Sequence, residues 1–130
     1  MIFLDTNVII YAVGRLHPLR ERSWQFFREI RRNPAPLVTS AEVLQELLHV
    51  YASTRRMHRW DRALSLLTVF DVEILPLAPE DVIAARRLYD RFTHLRARDL
   101  CHLAFCQRVG ATSLETFDRE LARAAAEILA

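Results

Sequence analysis

The sequence has no lysine, and its 130 residues include only two glycines and two cysteines. Two glycines cannot build a glycine-rich phosphate loop, and the chain has no G-x-S-x-G nucleophile elbow. Cys101 and Cys106 match neither a CxxC pair nor a disulfide framework, so we expect buried, reduced thiols. These absences argue against nucleotide-binding loops, serine hydrolases and disulfide scaffolds.

Long apolar runs are absent as well. No stretch approaches the roughly 20 apolar residues of a membrane span. The opening MIFLDTNVIIYAV lacks the basic region of a secretory signal. We therefore expect a soluble, cytoplasmic protein with no membrane association.

Charge is present in a particular form, because all 18 basic residues are arginine and they face 16 acids, for a net charge of +2. If several acids gather in one site, the remaining surface becomes strongly basic. An acidic site in a basic surround suits a polyanionic substrate that is cut with the help of a metal. With 52% apolar residues, the chain can bury the core of one domain spanning residues 1–130.

Strand and helix patterns alternate along the chain. Apolar runs or alternation predict strands at 2–4, 37–38, 72–77 and 111–117. Helical spacing and start signals predict helices at 18–32, 39–53, 60–70, from Pro79, from Asp99 and from Asp118. We interpret Thr39 and Glu42 as a capping box, and the tail at 126–129 as either helix or a short closing strand. The alternation predicts an α/β fold with a mostly parallel sheet covered on both faces.

Four acids stand at positions where such a fold could bring them together. Asp5 and Asp118 each follow a strand, and ligands of open α/β sheets bind beyond the carboxyl ends of the strands. Asp99 begins a strongly apolar helix, and Glu46 lies in apolar sequence where an unpaired carboxylate is costly. The pattern predicts a shared carboxylate site for a divalent metal.

Each acid also has a purely structural interpretation. Asp99 and Asp118 are good helix N-caps, and Asp5 could form an Asx turn at a strand end. Glu46 could reach solvent or pair with an arginine. The residues taken alone leave both interpretations open, although the coincidence of all four favours a site.

Other polar residues could also contribute to the site, but each has a simpler structural explanation. A capping-box role explains Glu42, which could otherwise be an outer ligand of the site. His102 lies one turn from Asp99, and a packed helix histidine is the simpler interpretation than a hydrogen-bonding partner of the site. Arginines at 15–32, 55–59, 96 and 98 could track phosphates, and solvated helix faces explain most of them equally well.

Four motifs in order carry a family resemblance: FLDTNVIIYA, TSAEVLQELLHVY, RARDLCHLAFCQRVGA and TFDREL. They resemble the motifs of PIN domains, and the chain as a whole resembles the short, single-domain toxins of VapBC-type toxin–antitoxin modules. The resemblance implies a three-layer α/β/α sandwich, ribonuclease activity that depends on Mg²⁺ or Mn²⁺, an RNA substrate and a cognate antitoxin protein.

The resemblance also implies residue roles. The family's four acids correspond in order to Asp5, Glu46, Asp99 and Asp118. We expect Asp5, Asp99 and Asp118 to bind the metal, and Glu46 to orient or deprotonate the water that attacks phosphorus. Asn7 and Thr116 match the polar positions that support these acids through hydrogen bonds.

The sequence departs from the family pattern at one position, and two other functions are possible. Glu115 stands where the family usually has an apolar residue, so it either adds an acid beside the site or points to solvent. Apolar helix surfaces that include Trp24 and Trp60 could serve an antitoxin or a homodimer, and ordinary core packing is the simpler interpretation. The alternatives are a PIN-like module that binds RNA or protein without cutting, and a phosphoacceptor of flavodoxin-like topology, which usually needs a lysine.

Overall fold

The computed structural model describes residues 1–129, in which strands and helices alternate. The strands are β1 (Ile2–Leu4), β2 (Leu37–Ser40), β3 (Glu73–Leu75) and β4 (Ser113–Glu115). The helices are α1 (Thr6–Val13), α2 (Pro18–Arg32), α3 (Ala41–Ser53), α4 (Met57–Val69), α5 (Pro79–Tyr89), α6 (Ala97–Val109) and α7 (Arg119–Ile128). Among these described residues, no helix is long and apolar enough to cross a membrane.

The sheet is parallel throughout, and its strand order is β3-β2-β1-β4. Ile2 pairs with Leu37 on one side and with Ser113 on the other. The first strand therefore lies in the centre beside the last one, and the carboxyl ends of β1 and β4 meet at one edge. The predicted α/β fold is confirmed.

The apolar side chains of the core form two clusters. The larger one gathers side chains from α1 to α4, including Val8, Phe27 and Leu47, and the smaller one joins α5, α6 and α7. Helix α6 contributes Phe105 to the first cluster and Leu103 to the second. Contact with both clusters explains why its sequence is apolar almost all round.

The start of α3 differs from the predicted capping box. Ser40 is the N-cap, and its hydroxyl accepts a hydrogen bond from Val43 N at 3.2 Å. Thr39 instead donates to the Leu4 carbonyl at 2.8 Å. The capping box of Thr39 and Glu42 is therefore wrong, because β2 extends to Ser40 and uses the Thr39 hydroxyl to hold the neighbouring strand.

The carboxyl-terminal tail is helical, so a closing strand at 126–129 is also wrong for the described residues, since α7 runs to Ile128. Leu121, Ala124 and Ala125 are buried at helical spacing. This apolar stripe packs onto the smaller cluster, and an extended chain could not bury all three on one face.

Trp24 and Trp60 serve mainly in core packing, the simpler of the two interpretations given above. Trp24 donates its indole N–H to the Ala12 carbonyl at 2.9 Å. Trp24 and Trp60 are partly buried against the larger apolar cluster.

Candidate active site

Asp5 forms the junction between the central strand and α1. It is the N-cap of that helix, is 8% exposed, and accepts a hydrogen bond from Thr6 N on Oδ1 at 2.7 Å. The helix begins at the next residue, so no turn of several residues separates strand and helix. Asp5 therefore caps α1 and also faces the carboxyl edge of the sheet.

Thr116 connects Asp5 to the end of β4. Its hydroxyl donates to Asp5 Oδ2 at 2.7 Å, and accepts from Asn7 Nδ2 and from Asp118 N, each at 3.1 Å. Asn7 in turn accepts from Phe117 N at 3.2 Å. The two predicted supporting residues thus hold the start of α1 against the segment that carries Asp118.

Asp118 is the N-cap of α7. Its Oδ1 accepts hydrogen bonds from Glu120 N at 2.9 Å and from Leu121 N at 3.2 Å. The structural interpretation of this residue is therefore correct. Capping uses one oxygen of the carboxylate, and Asp118 also lines the pocket described below.

Asp99 lies inside the first turn of α6. The N-cap is Arg96, so the interpretation of Asp99 as an N-cap is wrong. Burial raises the pKa of Asp99, a backbone hydrogen bond at Arg96 lowers it, and repulsion from Asp118 and Asp5 raises it further. Asp99, Asp118 and Asp5 are thus close enough for their charges to interact.

Glu46 reaches the same region from α3. Its Oε2 accepts a hydrogen bond from the Thr6 hydroxyl at 2.8 Å, and its Oε1 accepts one from Arg98. The alternative that Glu46 pairs with an arginine is therefore realised. Sequence reasoning assigned no role to Thr6, although its place between two predicted site residues was a signal.

His102 combines both interpretations that the sequence left open. It is 2% exposed, and its ring lies 5.1 Å from that of Phe3. Its Nε2 atom lies 3.7 Å from Asp5 Oδ1. Nδ1 is buried without a hydrogen-bond partner among the described residues. The packed histidine is thus also a neighbour of the site.

All four predicted acids line one pocket of about 340 Å³ at the carboxyl edge of the sheet. The remaining polar lining is Thr6, Asn7, His94, Arg96, Arg98, His102 and Glu120. Carboxylate oxygens are the ligands that Mg²⁺ and Mn²⁺ prefer, so this donor set fits such an ion. Within residues 1–129, no three acidic, histidine or cysteine side chains form a ready-made ligand cluster; the acids share a pocket rather than a closed cage.

Glu115 and Glu42, the other two acids considered from the sequence, do not line this pocket. Glu115 is half-buried; burial raises its pKa, and the nearby Arg22 lowers it in part. Glu42 lines a smaller cavity of about 300 Å³ that Glu46 and Arg98 also border. A larger cavity of about 770 Å³ opens beside Pro36 and Leu37, at the amino end of β2, and contains none of the four acids.

Both cysteines are free and buried, as predicted. Burial raises the pKa of Cys106 to about 12, which keeps this thiol protonated at neutral pH. A protonated, buried thiol is a poor metal ligand. The two residues serve as apolar packing in α6.

Comparison with known protein families agrees with this arrangement. The PIN domain family model matches residues 2–127. Ribonuclease VapC23 of Mycobacterium tuberculosis is 49% identical over 124 residues, which cover 95% of this chain and 98% of that protein. Ribonuclease VapC13 of the same organism is 34% identical over 119 residues, which cover 92% and 91%.

Solved structures show the same fold at low sequence identity. The toxin VapC20 of Mycobacterium tuberculosis, described as cleaving the sarcin–ricin loop, superposes with a TM-score of 0.78 at 15% identity, over 95% of each chain. A chain of a toxin–antitoxin complex from Klebsiella pneumoniae gives a TM-score of 0.66 at 19% identity, over 94% of this chain and 91% of that one.

Proposed function

This chain belongs to the PIN domain family, and on that premise we propose that it is an endoribonuclease dependent on Mg²⁺ or Mn²⁺ and the toxin of a type II toxin–antitoxin pair. The activity part of the proposal agrees with the two relatives named above, VapC23 and VapC13, which are ribonucleases and which this chain matches over almost its whole length.

One observation carries the proposal: carboxylates from four separate elements line a single pocket. Concentrating acids in this way is unfavourable: partial burial raises the pKa of Asp99, and repulsion from Asp118 and Asp5 raises it further. A bound dication relieves that repulsion. The clustered acids therefore reduce the stability of the fold but favour the binding of a cation.

In this proposal Asp5, Asp99 and Asp118 hold the cation. When bound, it neutralises negative charge on the phosphate and makes the attacking water more acidic. Glu46 orients that water and accepts its proton, from α3 on another side of the pocket. Thr116 keeps Asp5 in place through its hydrogen bond to Oδ2.

The surroundings of the pocket suit an RNA substrate. Arg96 and Arg98 line it, and the whole chain carries 18 arginines. One guanidinium group can bind two oxygens of a phosphate at once. The positive charge of arginines also attracts a polyanion to an otherwise acidic site.

The test is cleavage of a structured RNA by purified protein with Mg²⁺ or Mn²⁺. We expect cleavage by the wild type, loss with EDTA, and a loss of at least about 100-fold with Asp5→Asn. Asp71→Asn is the matched control, because Asp71 lies on a loop outside the acidic pocket. Cleavage that persists in both EDTA and Asp5→Asn would refute the proposal, and tight RNA binding without cleavage would support the non-catalytic alternative.

Antitoxin binding, a homodimer and a cytoplasmic location belong to the same proposal. A protein of this fold has been solved in a toxin–antitoxin complex. Large apolar side chains are exposed on this chain, including Leu16 at 86%, Val69 at 65% and Ile83 at 62%, and each is a candidate contact for a partner protein. Light scattering measures the oligomeric state, and co-purification with the product of an adjacent small open reading frame tests for an antitoxin.

A further inference from the structure

An ion pair crosses the acidic pocket. Arg98 lies directly before Asp99 in α6, and its Nη1 donates to Glu46 Oε1 on α3. The second oxygen of Glu46 accepts the hydrogen bond from Thr6. Both oxygens of the proposed water-orienting residue are therefore engaged in this structure.

This ion pair contributes little to stability. The side chains of Arg98 and Glu46 are 46% and 25% exposed, and solvent weakens ion pairs that it reaches. The ion pair between Arg108 and Asp81 in the same protein has the features of a structural ion pair. Arg108 contacts both oxygens of Asp81, whose side chain is 1% exposed, and donates to the Pro76 carbonyl. By comparison, Arg98 can leave its partner at small cost.

The position of Arg98 places it between the acids and the surface. It lines the acidic pocket together with Asp99 and Asp118. It also lines the smaller neighbouring cavity, whose other walls include Gln45 and His49. A phosphate that enters the pocket comes within reach of this guanidinium, which can bind two phosphate oxygens at once.

We infer, given the ribonuclease activity proposed above, that Arg98 is a substrate-binding residue that exchanges Glu46 for a phosphate of the RNA. The exchange neutralises the phosphate and frees Glu46 Oε1 to accept a hydrogen bond from water. Arg98 thereby couples substrate entry to the availability of Glu46, and it lowers the affinity of the pocket for cations as long as it contacts Glu46.

This role predicts two effects of opposite sign for Arg98→Ala. Affinity for a fully 2′-O-methylated, fluorescein-labelled RNA, which resists cleavage, should fall about 10-fold in Mg²⁺ when measured by fluorescence anisotropy. Affinity of the RNA-free protein for Mn²⁺ should rise several-fold in calorimetry, because a competing cation has been removed. Arg98→Lys should recover part of the RNA affinity. Arg86→Ala removes an exposed arginine paired with Asp90 away from the pocket and should change neither value.

The other outcomes overturn the inference. A fall in both affinities would make the ion pair structural, and a rise in both would make Arg98 only an obstruction. Unchanged RNA binding in a folded Arg98→Ala protein, alongside wild-type cleavage that Asp5→Asn abolishes, would refute the role of Arg98 alone. Absence of both Mn²⁺ binding and Asp5-dependent cleavage in the wild type would refute the proposed function and this inference with it.

Discussion

The Thr116 hydroxyl donates a 2.7 Å hydrogen bond to Asp5 Oδ2, which joins the end of β4 to the end of β1. The Thr116 hydroxyl oxygen also accepts a hydrogen bond from Asp118 N. One hydroxyl thus fixes the relative position of two of the four acids, although it is not itself proposed to contact the cation.

Thr116→Val should lower RNA cleavage about 10-fold to 100-fold, in the range expected when a partner that orients a metal ligand is lost. Valine keeps the shape and removes both functions of the hydroxyl. Thr116→Ser should retain most activity. Initial cleavage rates at saturating Mg²⁺, with thermal melts to confirm folding, provide the measurement, and equal rates for the valine and serine variants would contradict this role.

Asp99→Asn should stabilise the protein when divalent cations are chelated, and should also abolish cleavage. The side chain is half-buried near Asp118 and Asp5, so removing its charge relieves desolvation and repulsion. We expect a melting temperature about 2 to 5 °C higher in EDTA by differential scanning calorimetry. A lower melting temperature would show that the charge of Asp99 is not a cost to the fold.

Mn²⁺ should raise the melting temperature of the wild type by binding only to the folded state. At a concentration 100 times the dissociation constant, the gain is about 2.7 kcal/mol. EDTA should reverse it, and Asp5→Asn should remove most of it. A shift of equal size in Asp5→Asn would mean that the ion binds elsewhere.

Arg108→Gln should destabilise the protein by about 2 kcal/mol at pH 7, because it leaves the Asp81 carboxylate buried without its cation. Burial raises the pKa of Asp81, but the hydrogen bonds from Arg108 and from Ala78 N outweigh it, so the net pKa lies below the ordinary value of 3.8. The stabilisation is therefore present above pH 3.8 and is lost as the pH falls below that value. Urea unfolding at pH 7 and near pH 3 should show the penalty shrinking in acid, and a penalty independent of pH would contradict the assignment.

Local patterns were sufficient to predict much of the fold. Helix α2 begins at Pro18 and ends at Arg32 as predicted, because a proline at the start and an Asn-Pro sequence after the end mark its limits. Gly110 adopts the left-handed conformation that ends α6, with φ of 80°. Because such signals fix the ends of the helices, they also limit where the strands between them can lie.

Contacts between distant residues were not predictable in the same way. The pairing of Glu46 with Arg98 depends on how α3 and α6 approach each other, and the sequence offered many arginines as partners. Similarly, Ser40 rather than Thr39 caps α3 because the Thr39 hydroxyl is used by the Leu4 carbonyl. Motif order indicated which acids meet, whereas their hydrogen-bond partners required the packed structure.

Because β1 completes its pairing with β4, the order of synthesis limits when the site can exist. A ribosome that has emitted only the first hundred or so residues displays a chain without Thr116 or Asp118, the residues that brace and complete the pocket. A nascent chain of that length therefore cannot assemble the acidic pocket, even if its first strand and helices have already formed. The complete pocket can form only after β4 and Asp118 have been synthesised and β4 has paired with β1.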